Sequence, residues 1–335
     1  MAERVWSDLE LYVLNEHIED YQDGIITRRE LLRKVTFMTG SLAVTMALLP
    51  TLGCNLDQPR TGAPATATGA AVPSPTAVAT AQATAFAVPP PAATTDGVTV
   101  RADDPRITVV PADVKGPDGA SLGGYLVRPK AEGRYAGVLI IQENRGVTPH
   151  ILDVVRRAAT AGFAAITIDL LARDGGAEKV EPAQYPAKLT ARTPDALQAD
   201  LRAAIAHLGA QSFVKADTLG AVGFCFGGGM TWQLVTGGAP LKAAAPFYGP
   251  APQNATALGT TKIAVNAVYA EQDAGITNSR TALETELKKS GTPYQMTVYP
   301  GVGHAFHNDT GARYNADQAQ KAWISTIEWF RKYLV

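Results

Sequence analysis

From residue 107 to the end of the chain, short near-continuous apolar runs alternate with segments of helical period, and few folds accommodate that rhythm. The runs lie at 107–110, 122–127, 137–141, 163–168, 218–223, 241–247, 263–269 and 294–299. The first two read as an opening antiparallel pair. The others, such as Gly137-Val138-Leu139-Ile140-Ile141, suit strands covered on both faces. Between them, 150–161 places Leu152, Val155 and Ala159 on one side, and 193–208 spaces Leu197, Leu201, Ile205 and Leu208 along one stripe. Thr193, Pro194 and Asp195 supply an N-cap, a first-turn proline and an early acid. A closing helix aligns Trp323, Ile327, Phe330 and Leu334. Strand, helix and strand repeated this often predict an α/β fold with a mostly parallel central sheet and helices on both faces.

The rest of the 335 residues organises differently. Residues 55–97 are almost entirely Ala, Thr, Pro and Gly, too poor in large apolar groups to offset their ordering entropy, and read as a disordered tether. That leaves 98–335 as the single globular domain. Residues 1–54 read as an export leader. Arg28 and Arg29 precede an apolar run from Val35 to Leu49, about fifteen residues and short for a membrane span. The pattern resembles a twin-arginine signal, with a long polar segment ahead of it. The run ends at Thr51-Leu52-Gly53-Cys54, where the Gly-Cys pair resembles a lipoprotein cleavage site and the third residue before Cys departs from it. Cys54 is therefore a candidate for lipidation. The expected location is extracytoplasmic, with a membrane engaged only through the leader or a lipid anchor.

Thirty basic against thirty-one acidic residues, with no basic stripe, argue against nucleic acid as a partner and favour a small molecule. The protein is expected to act as a monomer. Its two cysteines are not expected to pair, because a Cys54–Cys225 bridge would staple the leader to a core strand. Cys225 is then a lone thiol, and a use for it has to be sought.

Gly223-Phe224-Cys225-Phe226-Gly227-Gly228-Gly229 follows an apolar strand and precedes a helical stretch. It fits the G-x-S-x-G elbow with Cys in place of Ser. Small neighbours permit the tight turn, and the helix N-terminus favours a thiolate. The N–H of Phe226 is the first candidate for an oxyanion donor. An acid and a base should follow in that order after later strands. Asp273 ends Tyr269-Ala270-Glu271-Gln272-Asp273 after one strand, and His304 lies in Val302-Gly303-His304-Ala305-Phe306 after the next. His304 would take the thiol proton and Asp273 would orient the ring. Glu271 competes as the acid, although a surface role suits it better; His307 is a neighbour of the site and His150 opens a helix.

Together with Gln142-Glu143-Asn144-Arg145-Gly146 and Asp169-Leu170-Leu171-Ala172-Arg173, these motifs resemble the dienelactone hydrolase (carboxymethylenebutenolidase) family, over roughly 107–334. The resemblance implies an α/β-hydrolase fold and hydrolysis of a small ester or lactone through a thioester acyl-enzyme, with no metal or organic cofactor. It implies that Glu143 helps to generate the thiolate, that the N–H of Asn144 completes the oxyanion hole, and that Arg173 binds a substrate carboxylate. Asn308 stands where dienelactone-cleaving members carry another carboxylate-binding arginine, so dienelactone itself is not implied. Two other readings compete: a non-catalytic, surface-tethered ligand-binding protein on the same scaffold, and a redox thiol, which would lack a resolving partner.

Overall fold

The computed structural model describes residues 6, 8–54, 56 and 98–335. The chain divides into two compact units, Met1–Ala87 and Val88–Val335. The expected tether lies, except for Leu56, outside the described residues.

In the first unit, α1 (Asp8–Gln22), α2 (Arg28–Thr39) and α3 (Leu42–Thr51) are helical. The arginine pair opens α2 behind a capping box: the Glu30 N–H donates to Thr27 Oγ1 and the Thr27 N–H donates back to Glu30 Oε2, at 3.2 and 2.7 Å. Two features differ from the sequence expectation. The polar segment ahead of the arginines contains α1, and the apolar run is broken. Gly40 takes φ 73° and Ser41 caps α3, so α2 and α3 meet at 106°. No single helix among the described residues is long and apolar enough to cross a membrane, although the bent pair has the combined length and composition.

In the second unit the described residues form one eight-stranded sheet in the order β1-β2-β4-β3-β5-β6-β7-β8. Its strands are β1 (Ile107–Pro111), β2 (Tyr125–Pro129), β3 (Tyr135–Ile141), β4 (Ala164–Thr167), β5 (Val214–Phe224), β6 (Ala243–Phe247), β7 (Ala264–Ala270) and β8 (Tyr294–Tyr299). The opening pair is antiparallel, as expected, with Val109 opposite Val127, and β2 also runs antiparallel to β4. From β4 to β8 all pairings are parallel. Strands β3, β4, β6 and β7 are buried almost throughout, as is β5 from Thr218 onward, whereas the edge strand β8 is half-exposed.

The helices are α4 (Pro149–Thr160), α5 (Tyr185–Thr190), α6 (Pro194–Gly209), α7 (Phe226–Thr236), α8 (Ala274–Thr277), α9 (Arg280–Ser290) and α10 (Ala316–Tyr333). Thr193 caps α6 by accepting from the Ala196 N–H, with Pro194 in the first turn, as its sequence demands. Leu197, Leu201, Ile205 and Leu208 of α6 are all buried, as are Trp323, Ile327 and Phe330 of α10. Each such side chain contributes about 1.5–3 kcal/mol on leaving water.

Strand order reverses at β3. The chain passes from β3 to β4 on one side and then to β5 on the other, and such a switch opens a crevice at the carboxyl ends of the strands. Ile141 lies opposite Gly223 in the β3–β5 ladder, so the same step of two residues leads to Glu143 on one strand end and Cys225 on the other.

Candidate active site

Cys225 sits between β5 and α7 with φ 57° and ψ −120°, a conformation that L-residues rarely take. The backbone holds it there: the Cys225 N–H donates to Phe247 O at 3.1 Å, and the Gly229 N–H donates to Cys225 O at 3.1 Å. The flanking glycines permit the turn. A Cβ on Gly223 would stand 2.1 Å from Gly227 O, and one on Gly227 would stand 2.4 Å from Ile141 O. Both obstacles are backbone, which cannot swing aside.

Asp273 and His304 follow β7 and β8. His304 Nδ1 lies 2.6 Å from Asp273 Oδ2, with both side chains buried. The other oxygen of Asp273 accepts from the Ile276 N–H at 3.4 Å, so the acid also caps α8. A ring nitrogen of His304 and the Cys225 sulfur lie within 4.8 Å of each other. The Tyr248 ring packs edge-on against His304, 5.0 Å between centroids. Glu271 faces solvent, where it accepts from the Gly301 N–H at 2.8 Å.

Glu143 and Asn144 follow β3 and are buried. Glu143 Oε2 accepts from Asn308 Nδ2 at 2.6 Å, while Oε1 is buried with no hydrogen-bond partner. Phe226 is the first residue of α7, fully buried. Cys54 lies in the other unit and is buried; loss of water there pushes its thiol pKa up.

Arg173 lies in a 3-10 turn at Ala172–Asp174, and its fork is engaged. Nε and Nη2 donate to Asp200 at 3.0 and 2.7 Å, and Nη1 and Nη2 donate to Asp118 at 2.5 and 2.9 Å. The guanidinium draws the Asp118 carboxyl down to about 2. Burial pushes Asp200 up, but Arg173 and Arg192 outweigh it and leave that carboxyl below its usual value.

A second network escaped the sequence reading. His150 Nδ1 meets Asp309 Oδ1 at 2.7 Å, Arg157 Nη2 also donates to Asp309, and Arg157 Nε donates to Asp153 at 2.6 Å. It ties α4 to the loop that carries His304. His307, on that loop, stacks on Phe224 at 4.9 Å between centroids, directly before Cys225 in the chain. Burial, helped by His150 and Arg157, holds the His307 pKa well below its ordinary value and keeps the ring neutral. The only sequence hint was the crowding of His304, His307 and Asp309 in one short loop.

The description "Dienelactone hydrolase family" matches residues 122–334 of this chain. A Methylorubrum extorquens protein named "putative carboxymethylenebutenolidase" is 34% identical over 223 residues, spanning 62% of this chain and 76% of its own. A Salmonella typhi protein of the same name is 32% identical over 242 residues, 68% of this chain and 87% of that one. Among solved structures, a Klebsiella pneumoniae protein described as a "putative dienelactone hydrolase" superposes with a TM-score of 0.62 at 29% identity, over 68% of this chain and 99% of its own. A metagenomic "dienelactone hydrolase-like promiscuous" phosphotriesterase gives 0.60 at 25% identity, again over 68% and 99%.

Proposed function

Since this chain belongs to the dienelactone hydrolase family of α/β-hydrolases, we propose that it hydrolyses a small carboxylic ester or lactone with Cys225 as nucleophile, His304 as general base and acid, and Asp273 as the orienting carboxylate. One observation carries the reading. His304 lies between Asp273, at 2.6 Å, and the Cys225 sulfur, within 4.8 Å, on loops that follow separate strands. The thiol gives its proton to the imidazole and attacks the carbonyl carbon. The oxyanion so formed is stabilised by the N–H groups of Phe226 and Asn144. Collapse expels an alkoxide, which takes the proton back from the imidazolium and leaves a thioester on Cys225. Water, deprotonated by His304, attacks the thioester and releases the acid and the thiolate. With a lactone, the alkoxide and the acid are two ends of one product. Glu143, beside the nucleophile's strand end, assists thiolate formation.

The test is turnover of short p-nitrophenyl esters and small lactones by the full chain and by Cys225→Ala. A fall of roughly 10³–10⁴-fold in kcat is expected. Turnover by Cys225→Ala at the wild-type rate would remove the thiol from the mechanism. Residues 1–54 are proposed as an export leader whose Cys54 accepts a lipid, a reading supported by the Arg28-Arg29 pair and the Gly53-Cys54 pair.

A further inference from the structure

Glu143 is held by the loop that carries the proposed base. Asn308, on that loop, donates Nδ2 to Glu143 Oε2 at 2.6 Å. The amide cannot turn over without loss, because its Oδ1 accepts from the Thr310 N–H at 3.0 Å and from Thr310 Oγ1 at 2.6 Å. Glu143 therefore meets a neutral donor at this contact. Its other oxygen is buried without a hydrogen-bond partner, and an acceptor left in that state is costly until a donor reaches it.

Three arginines of this unit already have carboxylates. Arg173 is forked onto Asp200 and Asp118, Arg192 donates to Asp200 at 2.6 Å, and Arg157 is paired with Asp153 and Asp309. A carboxylate on the substrate beside Glu143 would meet a like charge in a buried place. At about 6 Å and an effective dielectric near 20, that repulsion corresponds to roughly 100-fold in binding.

We propose that the Cys225 site selects an uncharged ester or lactone whose acyl part offers a hydrogen-bond donor to Glu143 Oε1, and that it discriminates against a carboxylate at that position. The proposal rests on the nucleophile reading above. Glu143 is then a specificity-determining residue as well as a neighbour of the thiol, and Arg173 is a structural node.

Methyl succinamate and methyl hydrogen succinate test it, because the amide and the carboxylate have nearly the same shape and differ in charge and donors. Proton release is followed at constant pH near 7 with the full chain. The expected kcat/KM for the succinamate exceeds that for the hydrogen succinate roughly 100-fold, and Glu143→Gln narrows the gap to a few-fold. Calorimetry on Cys225→Ala and on the Cys225→Ala, Glu143→Gln pair reads the same preference as Kd, independently of turnover. Equal handling of the two esters by both measures overturns the proposal, as does a carboxylate preference, including one that disappears in Arg145→Ala. If Cys225→Ala turns over both esters at the wild-type rate, the nucleophile reading fails instead, whatever the ratio.

Discussion

At residue scale the site turns on a backbone conformation. Cys225 takes φ 57°, a strain of roughly 1–3 kcal/mol, which the Phe247 and Gly229 hydrogen bonds and the close approach of Gly227 to Ile141 hold in place. Gly227→Ala is expected to lose about 2–3 kcal/mol, seen as a lower Tm, because the added methyl meets backbone oxygens at 2.4 and 2.5 Å. A variant with unchanged Tm would mean that the turn has room to spare. Asp273→Asn keeps an acceptor for the Ile276 N–H but no longer holds the His304 tautomer. Its kcat should fall roughly 10³-fold or more with little change in Tm. Wild-type turnover in that variant would point to another acid.

At the scale of elements, α4 and the His304 loop are locked through buried charge. Asp309 accepts from His150 and Arg157, and although burial raises its pKa, these partners outweigh that and lower it. Asp309→Ala would leave His150 Nδ1 without its acceptor and Arg157 with Asp153 alone, and is expected to cost about 1–3 kcal/mol. His307 gives the same loop a pH dependence. Its folded pKa lies below the unfolded value of about 6.5, so the unfolded chain binds the proton more readily. The contribution is therefore complete above about pH 6.5 and is lost progressively as pH falls below it, at up to about 1.4 kcal/mol per pH unit. Denaturant melts of the wild type and of His307→Leu from pH 7.5 to 5.5 check this: the variant should show a shallower slope over that range.

At the scale of the whole molecule, the residues just before the first strand belong to the packed unit. The Thr99 and Val100 N–H groups donate to Asp153 at 2.9 and 2.7 Å, and the Arg156 guanidinium donates to Val100 O. A chain starting at Val98 should keep the esterase activity and most of the Tm of the full protein, whereas one starting at Ala102 should melt several degrees lower because it leaves Asp153 short of two donors. Identical melting of the two would show that this segment contributes nothing.

The local pattern was enough for the α/β alternation, the Thr193 cap, and the order of Cys225, Asp273 and His304 along the chain, because helical and strand periods and turn chemistry depend on near neighbours in sequence. The break at Gly40-Ser41 and α1 were missed: the apolar run gave no periodic warning of a bend, and α1 interleaves Leu11, Val13, Leu14, Ile18 and Tyr21 with acidic residues that make the segment read as polar. Only folding decided what lies across space. It chose Asp273 rather than Glu271 for His304, set Asn308 against Glu143, and turned Arg173 toward Asp118 and Asp200. Those partners are separated by 31 to 165 positions in most cases, and a side chain's charge becomes a binding feature or a structural tie according to which carboxylate the sheet and its loops bring within reach.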